Sequence, residues 1–184
     1  MKGLNPFLFL VIALLLPLNS VSQRVAWVVG NSDYADGTLP NPVNDAKLVR
    51  DSLESLGFQV QLDLNLQSAD EFGASAQRAL VDIHGAEVFL FYYAGHGIQV
   101  DNENYLIPTE ADPQDEYGVK RECFPITELI DRYQRAYSDI PFVAVLDACR
   151  VNPFERKWSR SYGSGKGLSK MSAPTGSLIA FSTE

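Results

Sequence analysis

The sequence predicts an α/β domain in which a mostly parallel sheet lies between two layers of helices. Three observations support this fold class. Short apolar runs rich in β-branched and aromatic residues alternate along the chain with amphipathic stretches of helical period. The runs VFLFYY (88–93) and FVAVL (142–146) are apolar throughout, which is typical of parallel strands covered on both faces. A chain of 184 residues suits one such domain.

The first half of the chain contains two strands and two helices in alternation. VAWVVG (25–30) is predicted to be a buried strand, and a helix is expected from about Val43 to Gly57. Residues 58–64 alternate apolar and polar side chains, as a second strand would. Ser68 and Glu71 have the spacing of a capping box, which begins a helix that ends near Gly85.

The second half continues the alternation. After the strand at 88–93, the segment 105–107 is expected to form a short hairpin arm, and Ile126 to Tyr133 has helical spacing. FVAVL is the next strand, and a final one begins at Ser177. The segment 150–174 lacks periodicity and is expected to be a long exposed loop.

The N-terminal segment 1–22 has the pattern of a secretory signal peptide. A short basic start precedes the apolar run Phe7 to Leu16, and small residues follow it. The run is short for a transmembrane helix, although an uncleaved anchor is an alternative. We therefore expect an exported protein, secreted or periplasmic, whose domain comprises residues 23–184.

The charge of the chain argues against nucleic acid as a partner. With 15 Lys and Arg against 23 Asp and Glu, the formal net charge is −8, whereas nucleic-acid binding requires a basic face. An acidic chain suits basic ligands better.

The candidate catalytic residues follow two of the apolar strands. VFLFYY leads into AGHG, and FVAVL leads into DACR, so His96 and Cys149 are expected in loops at the same edge of one sheet. A neighbouring imidazole can accept the proton of a thiol, and the resulting thiolate attacks carbonyl carbon. The amides of Gly97 and Cys149 are candidate donors to the oxyanion of the tetrahedral intermediate.

The second cysteine, Cys123, lies in the irregular stretch KRECFP and is given no catalytic role. In an oxidising compartment a Cys123–Cys149 disulfide is the alternative to a free catalytic thiol.

The segments FYYAGHG and VLDACR resemble the two catalytic signatures of caspase-like cysteine peptidases, which include caspases, metacaspases and paracaspases. The 53 residues between His96 and Cys149 agree with the spacing of about 50 in caspases. RVAWVVGNSDY, LPNPVNDAKLVRDSLESLGF and ENYLIPTEAD are also similar to family segments, so the resemblance extends from Arg24 to the end. It implies a three-layer α/β/α sandwich and a cysteine endopeptidase with His96 and Cys149 as its catalytic pair.

The residue before Ala148 implies a specificity different from that of caspases. Caspases have Gln-Ala-Cys at the nucleophile, whereas this chain has Asp147-Ala148-Cys149, which resembles metacaspases and their bacterial relatives. By the same resemblance, Asp45 in VNDA matches a second acidic residue of the specificity pocket. Two pocket carboxylates imply cleavage after Arg or Lys, and the partners are then proteins or peptides with basic residues. Asp45 alone also fits the first turn of its helix, where a negative charge is favourable.

The resemblance has further implications. No organic cofactor or metal is implied; calcium activates some metacaspases, and no acidic site for it is evident in the sequence. The family continues beyond SLIAFSTE, so we expect either that the sequence is truncated or that a C-terminal subunit or dimer partner completes the domain. Self-processing is a hypothesis for the basic loop, which holds Arg156, Lys157, Arg160, Lys166 and Lys170.

Two other function classes remain as alternatives. The first is a catalytically inactive caspase-like module for interaction or regulation. The second is a nucleotide-binding α/β domain with Gly30 after the first strand, which lacks a phosphate-binding glycine motif.

Overall fold

The computed structural model describes residues 23–149, 153–154, 158, 168–169, 171–173 and 175–182. The predicted signal peptide and the basic residues of the predicted processing loop lie outside the described residues.

Five parallel strands form the centre of the described fold, and shorter strands extend it. The strands, in chain order, are β1 (Gln23–Gly30), β2 (Asp33–Tyr34), β3 (Gly37–Thr38), β4 (Phe58–Leu64), β5 (Ala86–Val100), β6 (Glu103–Leu106), β7 (Phe124–Pro125), β8 (Phe142–Cys149) and β9 (Ser177–Phe181). The parallel strands lie in the order β4-β1-β5-β8-β9. The chain therefore places β4 on one side of β1 and continues with β5 on the other side. Ligands of such sheets bind at the carboxyl ends of the strands where the order reverses.

Helices cover both faces of the sheet. They are α1 (Pro42–Ser55), α2 (Ala69–Asp82), α3 (Glu116–Glu122) and α4 (Ile126–Tyr137). The α1 face is lined by small and aliphatic side chains, including Ala26, Val28 and Ala46. On the opposite face α2 and α4 pack against large aromatic side chains, among them Trp27, Phe72 and Phe91. This three-layer arrangement confirms the predicted fold class.

The helix signals in the sequence have the expected causes. The Ser68 side chain accepts a hydrogen bond from the Glu71 amide at the start of α2, while the Glu71 carboxylate accepts from the Gln67 amide at 2.6 Å. Gly57 ends the segment after α1 with φ +84°, a conformation that favours glycine.

The strand β5 is longer than the sequence predicts, and this changes the setting of His96. It runs from Ala86 to Val100, so the Gly95-His96-Gly97 segment lies inside a strand and not in a loop. The extension forms a hairpin with β6 through Asp101 and Asn102, whose φ values of 49° and 63° suit a two-residue turn. The extension is stable as strand because it pairs with the hairpin arm that the sequence predicts.

Parts of the segment 150–174 are buried, contrary to the prediction of an exposed loop. Phe154, Trp158 and Leu168 are buried among the described residues of this segment. The indole of Trp158 donates to the Pro113 carbonyl at 3.0 Å, which ties the segment to the loop before α3. Isolated apolar residues in a glycine-rich segment have no periodicity, so their burial depends on tertiary contacts.

Across the part of the chain that the structure describes, none of the helices combines the length and the hydropathy needed to cross a membrane.

Candidate active site

The two predicted catalytic residues lie opposite each other on neighbouring parallel strands. The register pairs Phe89 of β5 with Phe142 of β8 and continues to the pair His96 and Cys149, where β8 ends. Neighbouring strands are about 4.8 Å apart, so the two residues are adjacent at the carboxyl edge of the sheet. The sequence predicts this edge correctly, although both residues belong to strands.

Hydrogen bonds on both sides hold the peptide of His96. Its N–H donates to the Tyr34 hydroxyl at 2.8 Å, and its carbonyl accepts from the Tyr93 hydroxyl at 2.6 Å. The same carbonyl accepts from the Ile107 amide at 3.1 Å. The backbone at His96 is therefore fixed from strand β2, from within β5 and from the segment after β6.

The imidazole of His96 is partly buried against an aromatic ring. The ring centroids of Tyr34 and His96 are 4.5 Å apart, with 50° between their planes. Burial lowers the pKa of His96 below its ordinary value of 6.5, because the charged form loses hydration. Its Nδ1 is buried and has no hydrogen-bond partner within the described ranges. At neutral pH the imidazole is therefore neutral and able to accept a proton.

The two glycines beside His96 permit close packing. At Gly95, which has φ +155°, a Cβ atom would lie 2.6 Å from the hydroxyls of both Tyr34 and Tyr93. At Gly97 a Cβ atom would lie 2.6 Å from Cγ of the buried Leu168. A side chain at Gly95 would therefore disrupt the contacts that hold His96.

Strand alternation directs the Gly97 amide toward β8. The Phe89 amide donates to the Pro141 carbonyl just before β8, while the Ala94 carbonyl accepts from Asn31 after β1. Odd-numbered residues of β5 thus direct their backbone groups toward β8, and even-numbered ones away from it. The Gly97 N–H accordingly faces the peptide of Cys149 at the end of β8.

The two predicted pocket carboxylates lie near one tyrosine on the α1 face. The Tyr92 hydroxyl donates to Oδ2 of Asp147 at 3.4 Å. Burial raises the pKa of Tyr92 well above its ordinary value, and the negative charges of Asp147 and Asp45 raise it further. Asp45 lies in the first turn of α1. This turn packs closely against the end of β1, where a Cβ atom at Gly30 would lie only 2.6 Å from the Pro42 carbonyl oxygen. Gly30 therefore serves the packing of α1. Asp147 contacts the Tyr92 hydroxyl directly, whereas Asp45 acts on that phenol through its charge.

Cys123 is a free thiol in a buried position. It is 2% exposed and packs in a cluster with Tyr34, Ile98 and Val119. Burial raises the pKa of its thiol strongly, which keeps it protonated. The structure therefore does not join Cys123 to Cys149 in a disulfide.

Sequence reasoning missed three residues that support the site. Tyr34 and Tyr93 hold the peptide of His96, and the buried Asn31 ties three segments together. Its side chain donates to the Ile107 carbonyl at 3.1 Å and accepts from the Leu66 amide at 3.0 Å. The only signal in the sequence is a polar group at or just after the end of a strand.

Within the described residues, no group of three or more His, Cys, Asp or Glu side chains is placed to hold a metal ion.

Comparisons with known proteins agree with this arrangement. The crystal structure of the Drosophila initiator caspase Dronc matches with a TM-score of 0.59 at 13% sequence identity, a likeness that concerns the fold. The match covers 85% of this chain and 54% of the Dronc chain, so this chain spans about half of the length of that caspase. No curated protein matches the chain. The family model of the caspase domain, peptidase family C14, matches residues 23–184. The chain therefore belongs to the caspase-domain family of cysteine peptidases.

Proposed function

We propose that this protein is a cysteine endopeptidase that cleaves peptide bonds after Arg or Lys. Cys149 is the nucleophile and His96 the general acid and base. The observation that carries the proposal is the β5–β8 register, which pairs His96 with Cys149 at the carboxyl edge of the sheet.

The properties of His96 suit the transfer of a proton from a thiol. Because burial lowers its pKa, the imidazole is neutral at pH 7 and accepts the proton of Cys149. The thiolate sulfur then bonds to the carbonyl carbon of the substrate, and the amides of Gly97 and Cys149 donate to the oxyanion. As the C–N bond breaks, the imidazolium gives its proton to the leaving amine.

Hydrolysis of the thioester completes the cycle. His96 takes a proton from water, whose oxygen bonds to the carbonyl carbon, and the carbon–sulfur bond breaks. The acid product leaves, and the thiol of Cys149 recovers the proton held by His96. No oxidant, reductant or cofactor enters this balance.

The preference for basic residues rests on Asp45 and Asp147. Both carboxylates act on the phenol of Tyr92, and two negative charges at one site favour a guanidinium or ammonium group. An acidic side chain would be repelled there, so the specificity is closer to that of metacaspases than to that of caspases. The protein partners are accordingly substrates with exposed basic residues.

Three further proposals follow from the sequence. We propose that residues 1–22 direct export and that the peptidase acts outside the cytoplasm. We also propose that turnover requires no metal, which is tested by adding calcium or a chelator. The third proposal is that the chain acts together with a partner subunit, which is tested by measuring the mass of the purified protein in solution.

Peptides that differ only in the residue before the cleaved bond test the proposed function. We expect the full chain to cleave the Arg and Lys peptides and not the Asp peptide, and Cys149→Ala or His96→Ala to abolish turnover. Cys123→Ala is the matched control for the thiol, because Cys123 lies in a buried cluster and not at the end of β8, and we expect it to retain turnover. Absence of thiol-dependent turnover would instead favour the inactive interaction module.

The pocket is tested separately with Asp147→Asn and Asp45→Asn. Each is expected to lower kcat/KM for the Arg peptide by about tenfold to hundredfold, the usual worth of a hydrogen bond to a charged group. Asp51→Asn is the matched control, because Asp51 is an exposed residue on the same helix as Asp45. A preference for the Asp peptide over the Arg peptide would refute the pocket assignment.

A further inference from the structure

A tyrosine on the short hairpin of β2 and β3 contacts both the backbone and the side chain of His96. Its hydroxyl accepts the His96 N–H at 2.8 Å, and its ring lies against the imidazole with centroids 4.5 Å apart. We propose that Tyr34 is a positioning residue for His96, one that fixes the peptide and one face of the imidazole together. The inference rests on the proposed function, in which His96 moves the proton.

The position of Tyr34 is itself well determined. The β2–β3 pairing matches Tyr34 with Gly37, and the Tyr34 amide donates to the Ser32 carbonyl at 3.0 Å. The next residue, Ala35, donates its amide to the Thr109 carbonyl at 3.3 Å. The tyrosine is buried, and burial raises its pKa to about 12, so the hydroxyl stays protonated at neutral pH.

The hydroxyl of Tyr34 belongs to a small network around the backbone of His96. It lies 3.3 Å from the Tyr93 hydroxyl and 3.3 Å from the Ile107 carbonyl oxygen. Tyr93 in turn donates to the His96 carbonyl, so both backbone polar groups of His96 bond to a phenol. Two hydroxyls fit there only because residue 95 is glycine.

This geometry limits the motion of the imidazole. The fixed peptide sets the origin of the side chain, and the ring of Tyr34 blocks rotation toward that side. A general base must stay within hydrogen-bond reach of the proton that it accepts, and small displacements reduce the rate strongly. Loss of the hydroxyl should therefore affect the chemical step more than the binding of substrate.

The test compares Tyr34→Phe with Tyr105→Phe in the full chain. Phenylalanine keeps the ring and removes the hydroxyl. Tyr105 is buried in the same cluster, but its hydroxyl donates to Glu103 at 2.8 Å, so the control loses a hydroxyl that bonds to Glu103 and not to His96. We expect Tyr34→Phe to lower kcat at least about tenfold, with KM changed less than about twofold. Tyr105→Phe should retain the kcat of the unsubstituted chain.

Two further measurements separate positioning from a loss of folding. The thermal midpoint is measured for both variants, and kcat is expressed per folded protein. Tyr93→Phe removes the hydroxyl that bonds to the His96 carbonyl, and it repeats the test if Tyr34→Phe folds poorly. A kcat within twofold of the unsubstituted chain in a folded Tyr34→Phe or Tyr93→Phe protein overturns the inference, as does an equal loss in Tyr105→Phe.

The controls also separate this inference from the proposed function. If His96→Ala and Cys149→Ala leave turnover intact, the proposed catalytic pair is wrong. If those variants are inactive while Tyr34→Phe has normal kinetics, only the positioning role is wrong.

Discussion

In a Gly95→Ala variant, the new methyl group would lie 2.6 Å from each of two tyrosine hydroxyls and 2.9 Å from Cζ of Tyr93. The hydroxyls belong to Tyr34 and Tyr93, which hold the peptide of His96. The backbone at Gly95 also has φ +155°, which side chains rarely adopt. The substitution therefore combines backbone strain with overpacking beside the candidate catalytic histidine.

The structure offers matched variants for each contribution. Gly37 has φ +137° and no atom within 4 Å of its Cβ position, so Gly37→Ala isolates the strain, about 1–3 kcal/mol. Gly97 lacks the positive φ but faces Leu168 at 2.6 Å, so Gly97→Ala isolates the overpacking, again about 1–3 kcal/mol. Gly95→Ala combines both effects, and we expect it to destabilise the fold by roughly 2–6 kcal/mol.

Urea unfolding of the three variants and the unsubstituted chain measures these free energies. The midpoint should shift most for Gly95→Ala, with little change in the slope. If Gly95→Ala is no more destabilising than Gly37→Ala, the tyrosine hydroxyls do not crowd this position. The packing described around His96 would then be wrong.

Four other predictions concern a buried amide side chain, a core aromatic side chain, the protonation of His96 and the accessibility of the Cys123 thiol. Asn31→Ala leaves the Leu66 amide without its partner and removes one of the donors to the Ile107 carbonyl, so it should lower the free energy of unfolding by about 1–3 kcal/mol in urea. Phe72→Ala removes a side chain that is 0% exposed, and we expect a loss of about 3–5 kcal/mol in the same assay. Burial lowers the pKa of His96, so the unfolded chain binds a proton more readily; stability should fall as pH decreases below about 6.5, and less steeply in His96→Gln. In a Cys149→Ala chain, the Cys123 thiol should react with a disulfide reagent only after denaturation, because it is buried.

The controls for these predictions lie on the protein surface. Asn44→Ala and Leu48→Ala affect exposed residues of α1, with Leu48 64% exposed, and should change stability by less than about 0.5 kcal/mol. The exposed His84 remains in His96→Gln, so a pH dependence equal to that of the unsubstituted chain would show that His96 does not contribute. Rapid labelling of native Cys123 would show that this thiol is accessible.

The sequence predicts the strands because their apolar runs are local features. VFLFYY and FVAVL are recognisable from composition, and parallel strands place their carboxyl ends at one edge. The prediction that His96 and Cys149 meet follows from these two facts, and their pairing confirms it. The extension of β5 was not predictable, because a Gly-His-Gly segment has no strand propensity and becomes a strand by pairing with β8 at Gly95 and His96 and with β6 from Gly97 onward.

The sequence by itself determined the α/β fold class and the edge of the sheet at which His96 and Cys149 meet. Only the tertiary structure decided what surrounds that pair. Tyr34 is 62 residues from His96 in the chain, and no local pattern connects them. Tyr92 is 55 residues from Asp147 in the chain, yet its hydroxyl donates to that carboxylate. The negative charges of Asp147 and Asp45 both raise the pKa of Tyr92. Strand formation depends on neighbouring residues, whereas these contacts depend on how β2, α1 and β8 pack around β5, which only the folded chain establishes.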